Sequence, residues 1–140
     1  MNYWYFKSEP NCWSWQQQVA RKARGEPWDG VRNYQARNNM RAMQVDDLGL
    51  FYHSIGPKEF VGIVKVIRLA YPDHTAIDDP RWEMVNVAAV KELTKPVTLA
   101  DMKANDRLEQ MEFLRQGRLS VGPVTAAEFK EILRMSGTKL

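Results

Sequence analysis

The chain has few of the residues that metal sites and disulfide frameworks require. Its 140 residues include one cysteine, Cys12, and two histidines, His53 and His74. A single cysteine cannot form an internal disulfide, and so few thiol and imidazole ligands give little material for a metal centre. We therefore expect no metal and no other cofactor.

Long apolar runs are also missing. No stretch approaches the ~20 consecutive apolar residues that a membrane-spanning helix needs, and the N-terminal residues lack the basic start and the small-residue cleavage site of a secretory signal. A hydrophobic content of 44% with 26% charged residues is ordinary for a globular domain. We expect a single domain over residues 1–140, located in the cytoplasm, without a membrane partner.

Signatures of catalysis are scarce. The glycines are too scattered to form a phosphate-binding loop. Ser54 lies beside His53, but adjacent strand residues point to opposite faces, which argues against a nucleophile and base acting together. Glu9 has the chemistry of a general base, or of an acceptor for a ligand amine or a backbone amide. The sequence favours a binding protein; a small hydrolase- or nuclease-like enzyme with Glu9 or His53 as base is the alternative.

Arginine, by contrast, is concentrated in residues 28–43. This segment interleaves three arginines with asparagines and aromatics and has no acidic residue after Asp29. If Asn33 caps a helix that begins at Tyr34, the helical period places Ala36, Met40 and Met43 on the buried side. The outward side then carries Tyr34, Arg37, Asn38 and Arg41. Guanidinium groups suit phosphates and carboxamides suit base edges, although a plain solvated helix face has the same composition.

The remaining pattern predicts an α+β fold. Strands are predicted at residues 3–7, 50–54, 60–69 and 82–93, with an extended piece at 118–121 and a loop at 71–81 that could border a site. Capping boxes at Ser14, Thr98 and Thr125 predict helices, and a short helix with Leu108, Met111 and Leu114 inward is predicted before Gly117. We expect the first helix to bury Trp15, Val19 and Ala23 and to end at Gly25. There is no βαβ alternation, which favours a small, strongly bent sheet or open barrel flanked by helices.

The tryptophans give a further clue. We expect Trp4, Trp13, Trp15 and Trp82 to lie in the core, because large aromatics dominate small cores. Trp28 has polar neighbours and directly precedes the arginine-rich segment. It is therefore the tryptophan that we expect in a binding site, where its ring can stack on a base.

Several stretches together resemble the EVE domain family over nearly the full length. They are Lys7-Ser8-Glu9-Pro10, the run from Trp28 to Asn38, Phe51-Tyr52-His53-Ser54, Gly62-Ile63-Val64 and Arg118-Leu119-Ser120-Val121. The resemblance implies a PUA-like fold, related to the YTH and ASCH domains, and a module that binds DNA or RNA and reads modified bases, notably modified cytosines. It also implies that Lys7 and Ser8 edge the pocket and that Trp28 forms an aromatic wall.

The resulting hypothesis is an everted base held in an aromatic pocket with a basic rim. Trp28 and Tyr52 would be the walls, Ser8, Glu9, Asn33 and His53 would read the base edge, and arginines with Lys7 would neutralise phosphates. A binder of a nucleotide-like metabolite is a further alternative. The predicted site residues are Lys7, Ser8, Glu9, Trp28, Asn33, Tyr34, Arg37, Asn38, Arg41, Tyr52, His53, Ser54, Arg118, Leu119 and Ser120.

Overall fold

The computed structural model describes all 140 residues, which fold around one six-stranded mixed sheet. Its strands are β1 Tyr3–Ser8, β2 Glu26–Pro27, β3 Leu48–His53, β4 Glu59–Pro72, β5 Glu83–Thr98 and β6 Val121–Val124. Their order across the sheet is β2-β5-β4-β3-β1-β6. Only β1 and β3 pair in parallel, and β3 and β4 form the predicted hairpin. The α+β prediction is confirmed.

Five α-helices flank this sheet, and all except α4 begin at a residue whose side chain caps the helix. They are α1 Trp15–Ala20, α2 Tyr34–Arg41, α3 Leu99–Lys103, α4 Glu112–Arg115 and α5 Ala126–Ser136, with 3-10 turns at Lys22–Arg24 and Asp106–Leu108. The predicted capping boxes at Ser14, Thr98 and Thr125 are all formed, and the Asn33 side chain accepts a hydrogen bond from the Ala36 amide. None of the helices combines the length and apolar character needed to cross a membrane.

The hydrophobic core extends over both faces of the central strands of the sheet. Thirty buried residues form a single hydrophobic cluster, and both β1 and β3 contribute to it. Phe6 pairs with Phe51 on one face, and the parallel register places Lys7 beside Tyr52 on the other. This alternation decides which side of the sheet each residue at the end of β1 can reach.

The predicted apolar stripe of α1 is correct for Trp15 but wrong for Val19 and Ala23. Val19 is 46% exposed and Ala23 is also exposed, whereas Gln18 is fully buried. The Gln18 side-chain amide donates to the Val87 carbonyl at 3.0 Å, and its oxygen accepts from the Trp13 indole at 2.9 Å. A polar side chain is stable at this position because both of its ends are hydrogen-bonded.

Several predicted boundaries also differ from the structure. β4 extends to Pro72 and β5 to Thr98, so the predicted loop at 71–81 is shorter. The predicted helix before Gly117 is divided into a 3-10 turn and α4, and residues 118–120 form a turn and a bend before β6. The register of β4 against β5 shifts at several points, and such irregularities bend long strands.

Trp15 fixes α1 to the sheet by a close contact with bare backbone. A Cβ atom added at Gly62 of β4 would overlap the six-membered ring of Trp15. The Trp15 amide donates to His53 Nε2 at 3.0 Å, and its indole nitrogen donates to Glu92 at 3.1 Å. The first residue of α1 is thus bound to β3, β4 and β5 at once.

Replacement of Gly62 by alanine should therefore destabilise the protein. The added methyl group would push Trp15 away from β4, and overpacking of this kind costs about 1–3 kcal/mol of the free energy of unfolding. Urea denaturation followed by tryptophan fluorescence measures the change. Gly117→Ala is the matched control, because a Cβ atom there meets nothing within 4 Å. Equal stability of the two variants would contradict the contact described for Trp15.

Candidate functional site

A cavity of about 560 Å³ opens where β1 ends, on the Phe6 face of the sheet. Its volume lies within the ~300–1,000 Å³ that is usual for ligand clefts. Three segments that are distant in sequence contribute the wall: the end of β1, the turn before α1, and β2 with the loop after it. The lining residues are Lys7, Ser8, Glu9, Cys12, Trp13, Glu26, Pro27, Trp28, Asp29 and Gly30.

Trp28 lies between this cavity and the core. Its ring packs edge-on against Phe6 and Phe51, with centroids 5.1 and 5.6 Å away, and only 8% of the residue is exposed. Its backbone amide donates to the Val85 carbonyl at 2.7 Å. The ring therefore presents a small part of its surface to the cavity, and most of it is core.

Trp13 is the wall residue that sequence reasoning missed. Predicted to be core, it is half-buried and lines the cavity. Its carbonyl accepts a hydrogen bond from the Ser8 hydroxyl, and its indole nitrogen donates to Gln18. The available signal was its polar neighbours Cys12 and Ser14, the same feature that singled out Trp28. Anchored at both ends, Trp13 offers the cavity a fixed aromatic surface.

Carboxylates outnumber cations around the cavity, where Lys7 is the one basic lining residue, so the predicted basic rim is wrong here. Three carboxylates line it, from Glu9, Glu26 and Asp29. Glu26 pairs with Arg21 at 3.1 Å and Asp29 contacts His74 at 3.2 Å. Glu9 has no ion pair, and its only side-chain hydrogen bond is accepted from the Cys12 thiol at 3.8 Å. One carboxylate thus remains available to a donor on a ligand.

Lys7 contributes to the wall of this cavity, but its ammonium group and the Tyr52 ring lie on the opposite face of the sheet. The Lys7 ammonium donates to the Gly117 carbonyl at 2.8 Å and lies 4.7 Å from the centre of the Phe113 ring, on the opposite face of the sheet. Tyr52 packs against Phe60 and Phe113 on that same face, where burial raises its pKa to about 12. Neither the predicted cation nor the predicted second wall reaches the Trp28 side.

The outward side of α2 forms a separate cluster. Ala36 and Met40 are buried as predicted, and Tyr34 is 50% exposed and stacks on Trp82 at 4.9 Å. Arg37 lies 4.9 Å above the Tyr34 ring and donates to the Asn38 side chain and the Arg81 carbonyl, while Arg41 pairs with Glu83. These arginines are held by protein partners, and none of them lines the cavity.

Most of the other predicted residues have structural roles in the fold. His53 accepts from the Trp15 amide, and burial lowers its pKa. Ser54 donates to the Ser8 carbonyl, Leu119 is buried in the core, and the Ser120 carbonyl accepts from the Lys7 amide. Arg118 is exposed without an ion pair, and the Asn33 oxygen is used by the helix cap. No three His, Cys, Asp or Glu side chains are arranged to hold a metal ion.

Asp73 holds the loop that carries Trp28, Asp29 and Gly30. Its carboxylate is buried and accepts from the Gly30 amide at 2.8 Å, from Arg32 at 3.3 Å, and from the amide and hydroxyl of Thr75 at 2.7 and 2.6 Å. Burial opposes ionisation, but the hydrogen bonds from Thr75, Gly30 and Arg32 outweigh it and lower the pKa of Asp73.

A bent mixed sheet flanked by helices, with an open aromatic cavity at a strand end, defines a PUA-like α+β module. The chain belongs to the EVE domain family, whose model matches residues 2–135. The sequence-based assignment to this family is confirmed.

Solved structures agree with this assignment. Protein Atu2648 of Agrobacterium tumefaciens is 52% identical, with a TM-score of 0.97 over 99% of this chain and 94% of that one. Human THYN1, in complex with DNA that contains 5-methylcytosine, is 31% identical, with a TM-score of 0.92 over the whole of both chains. The YTH domain of Zygosaccharomyces rouxii MRB1, in complex with N6-methyladenosine RNA, shares only the fold, at 13% identity and a TM-score of 0.58 over 96% of this chain and 86% of that one.

Asp73→Asn should lower stability at neutral pH by about 1–3 kcal/mol, because neutralising the carboxylate weakens its buried hydrogen bonds. Since folding lowers the pKa of Asp73, its stabilising effect is full above about pH 4 and is lost as the pH falls through the folded-state value. The gap between wild type and variant in urea denaturation should thus be widest at pH 7 and should shrink as the pH falls below about 4. Asp78→Asn, an exposed position in the same loop, is the control. A gap independent of pH would contradict this role of Asp73.

Proposed function

We propose that this protein is a nucleic-acid-binding module that reads a modified cytosine in DNA, with the everted base held in the cavity beside Trp13 and Trp28. Family membership supports the proposal, since human THYN1 was crystallised with DNA that contains 5-methylcytosine. The observation that carries it is the free carboxylate of Glu9 within an aromatic-walled cavity.

The charge of the cavity favours a base over a phosphate. Three carboxylates repel a phosphodiester, but a carboxylate is the natural acceptor for the exocyclic amine of cytosine. Glu26 and Asp29 already contact Arg21 and His74, so Glu9 is the acceptor we assign to that amine. Uracil and thymine carry a carbonyl in place of the amine, and the same carboxylate would repel it.

Aromatic and apolar surfaces complete the pocket. Trp13 is anchored through Gln18 and through the Ser8 hydroxyl, so its ring can stack on a base without ordering a mobile side chain. Pro27 adds apolar surface to the same wall. A methyl group on the base would remove apolar area from water there, a gain of roughly 0.8 kcal/mol for a fully buried carbon.

We propose binding and not turnover for this site. The Ser8 hydroxyl is used in its bond to the Trp13 carbonyl, and His53 lies outside the cavity with Nε2 bound to the Trp15 amide. No histidine lines the cavity, and His53, the register partner of Ser8 on β3, already uses Nε2 as an acceptor, so neither Ser8 nor Cys12 has a free imidazole base there. Incubation of the protein with the labelled oligonucleotide tests this, and cleavage or base release that Glu9→Gln abolishes would identify an enzyme instead.

Glu9→Gln should weaken binding to an oligonucleotide that contains 5-methylcytosine by roughly ten- to a hundredfold, the range that one good base contact of ~1–3 kcal/mol gives. Fluorescence anisotropy at fixed salt measures the affinity. Glu109→Gln makes the same charge change at an exposed position outside the cavity and should leave the affinity unchanged. Equal affinities of the two variants would show that Glu9 does not contact the base.

Trp13→Leu should reduce affinity for the modified oligonucleotide by a similar factor, because base stacking on an aromatic ring is worth about 1–3 kcal/mol. The leucine keeps apolar bulk, and urea denaturation of the same variant shows whether the fold is intact. Trp28 is less suitable for substitution because its ring is part of the core. A folded Trp13→Leu protein with wild-type affinity would show that the base does not stack there.

A further inference from the structure

A second hollow lies at the same end of the sheet, on the opposite face from the Trp28 cavity. We call it the lysine hollow. It measures about 210 Å³, and its floor is aromatic and aliphatic while three lysines surround it. The lining residues are Lys7, Tyr52, Ser54, Lys58, Leu99, Lys103, Phe113, Leu114 and Gly117.

Three different elements bring the lysines together. Lys7 comes from β1, whose alternation directs it away from Trp28. Lys58 directly precedes β4, and its carbonyl accepts a hydrogen bond from the amide of Leu99, the first residue of α3. Lys103 is the last residue of that helix. The bond between Lys58 and Leu99 therefore holds two of the three cations on one side of the hollow.

The lysine hollow has no counter-ion. None of its lining residues is acidic, and none of the three lysines takes part in an ion pair. Of the nearby acids, Glu112 is bound to Gln116 and Arg115, and Glu59 lies on β4 next to Lys58. The Lys7 ammonium donates one hydrogen bond, to Gly117, and burial lowers its pKa. An ammonium has three donors, so two remain for an anion.

We propose that the lysine hollow binds a phosphate group through Lys7, Lys58 and Lys103. Its volume is below the ~300 Å³ of ordinary ligand clefts, which suits a single oxyanion group. Where the proposed function holds, the source is a backbone phosphate of the strand whose base enters the Trp28 cavity, because the two hollows adjoin at Lys7, which lines both. A free phosphomonoester offers the same chemistry.

The first experiment measures salt dependence with an oligonucleotide that contains 5-methylcytosine. Lys58→Gln combined with Lys103→Gln should reduce the slope of log affinity against log salt by about 1 and weaken modified and plain oligonucleotides equally. Lys65→Gln with Lys130→Gln removes the same charge at exposed positions outside the hollow and should leave the slope unchanged. Lys7 is kept because its side chain packs on Phe113.

A second experiment locates the phosphate. Oligonucleotides in which one phosphate at a time is a neutral methylphosphonate should bind wild type more weakly at one position near the modified base. The Lys58→Gln, Lys103→Gln protein should be insensitive at that same position. Such a result identifies the backbone phosphate as the source.

Inorganic phosphate tests the site without the base. Its titration should shift the amide resonances of Ser54 and Gly117 in wild type, and less so in the double lysine variant. Shifts without any change in the salt slope would support the hollow with a free phosphomonoester as its ligand. Absence of both effects would overturn the phosphate site. Loss of affinity in Glu9→Gln is a separate readout, so failure of the base pocket and failure of the lysine hollow are distinguished.

Discussion

The contact between Trp15 and the backbone of Gly62 is the constraint on which the rest of the site depends. It places the first turn of α1 directly on the middle of the sheet, with the Trp15 amide bound to His53. The short connection from β1 to α1 must then turn within residues 9–14, and this turn supplies Glu9, Cys12 and Trp13 to the cavity. A larger residue at position 62 would lift the helix and the cavity wall together.

Local chemistry made much of the fold predictable. Capping residues such as Ser14 and Asn33 define helix starts within a few residues of sequence, and the β-branched run in β4 indicates a buried strand. The buried face of α1 was not predictable in this way. Gln18 is buried because Val87, 69 residues away, accepts a hydrogen bond from it, and tertiary contacts of this kind leave no periodic signal.

In the candidate site, too, some features were predictable from local sequence and others depend on tertiary contacts. Glu9 and Trp28 were found from their local context, but the acidic character of the cavity depends on Glu26 and Asp29 meeting Glu9 across the fold. The arginine-rich helix α2 suggested a phosphate-binding face. In the structure, however, Arg37 donates to the Arg81 carbonyl and Arg41 pairs with Glu83, both more than 40 residues away in sequence. Composition identified the donors, and only the structure shows which acceptors they already have.

Lys7 and Ser8 are neighbours on one strand, and successive side chains of a strand point to opposite faces of the sheet. The position of each residue along β1 therefore decides which face carries the positive charge. Insertion or deletion of a single residue in β1 would turn the ammonium towards the carboxylates of the Trp28 cavity and direct the hydroxyl into the lysine hollow. Point substitutions can retune either hollow alone, but changes in the length of this strand must alter both. The acidic and basic sides therefore remain distinct only while β1 keeps its length of six residues.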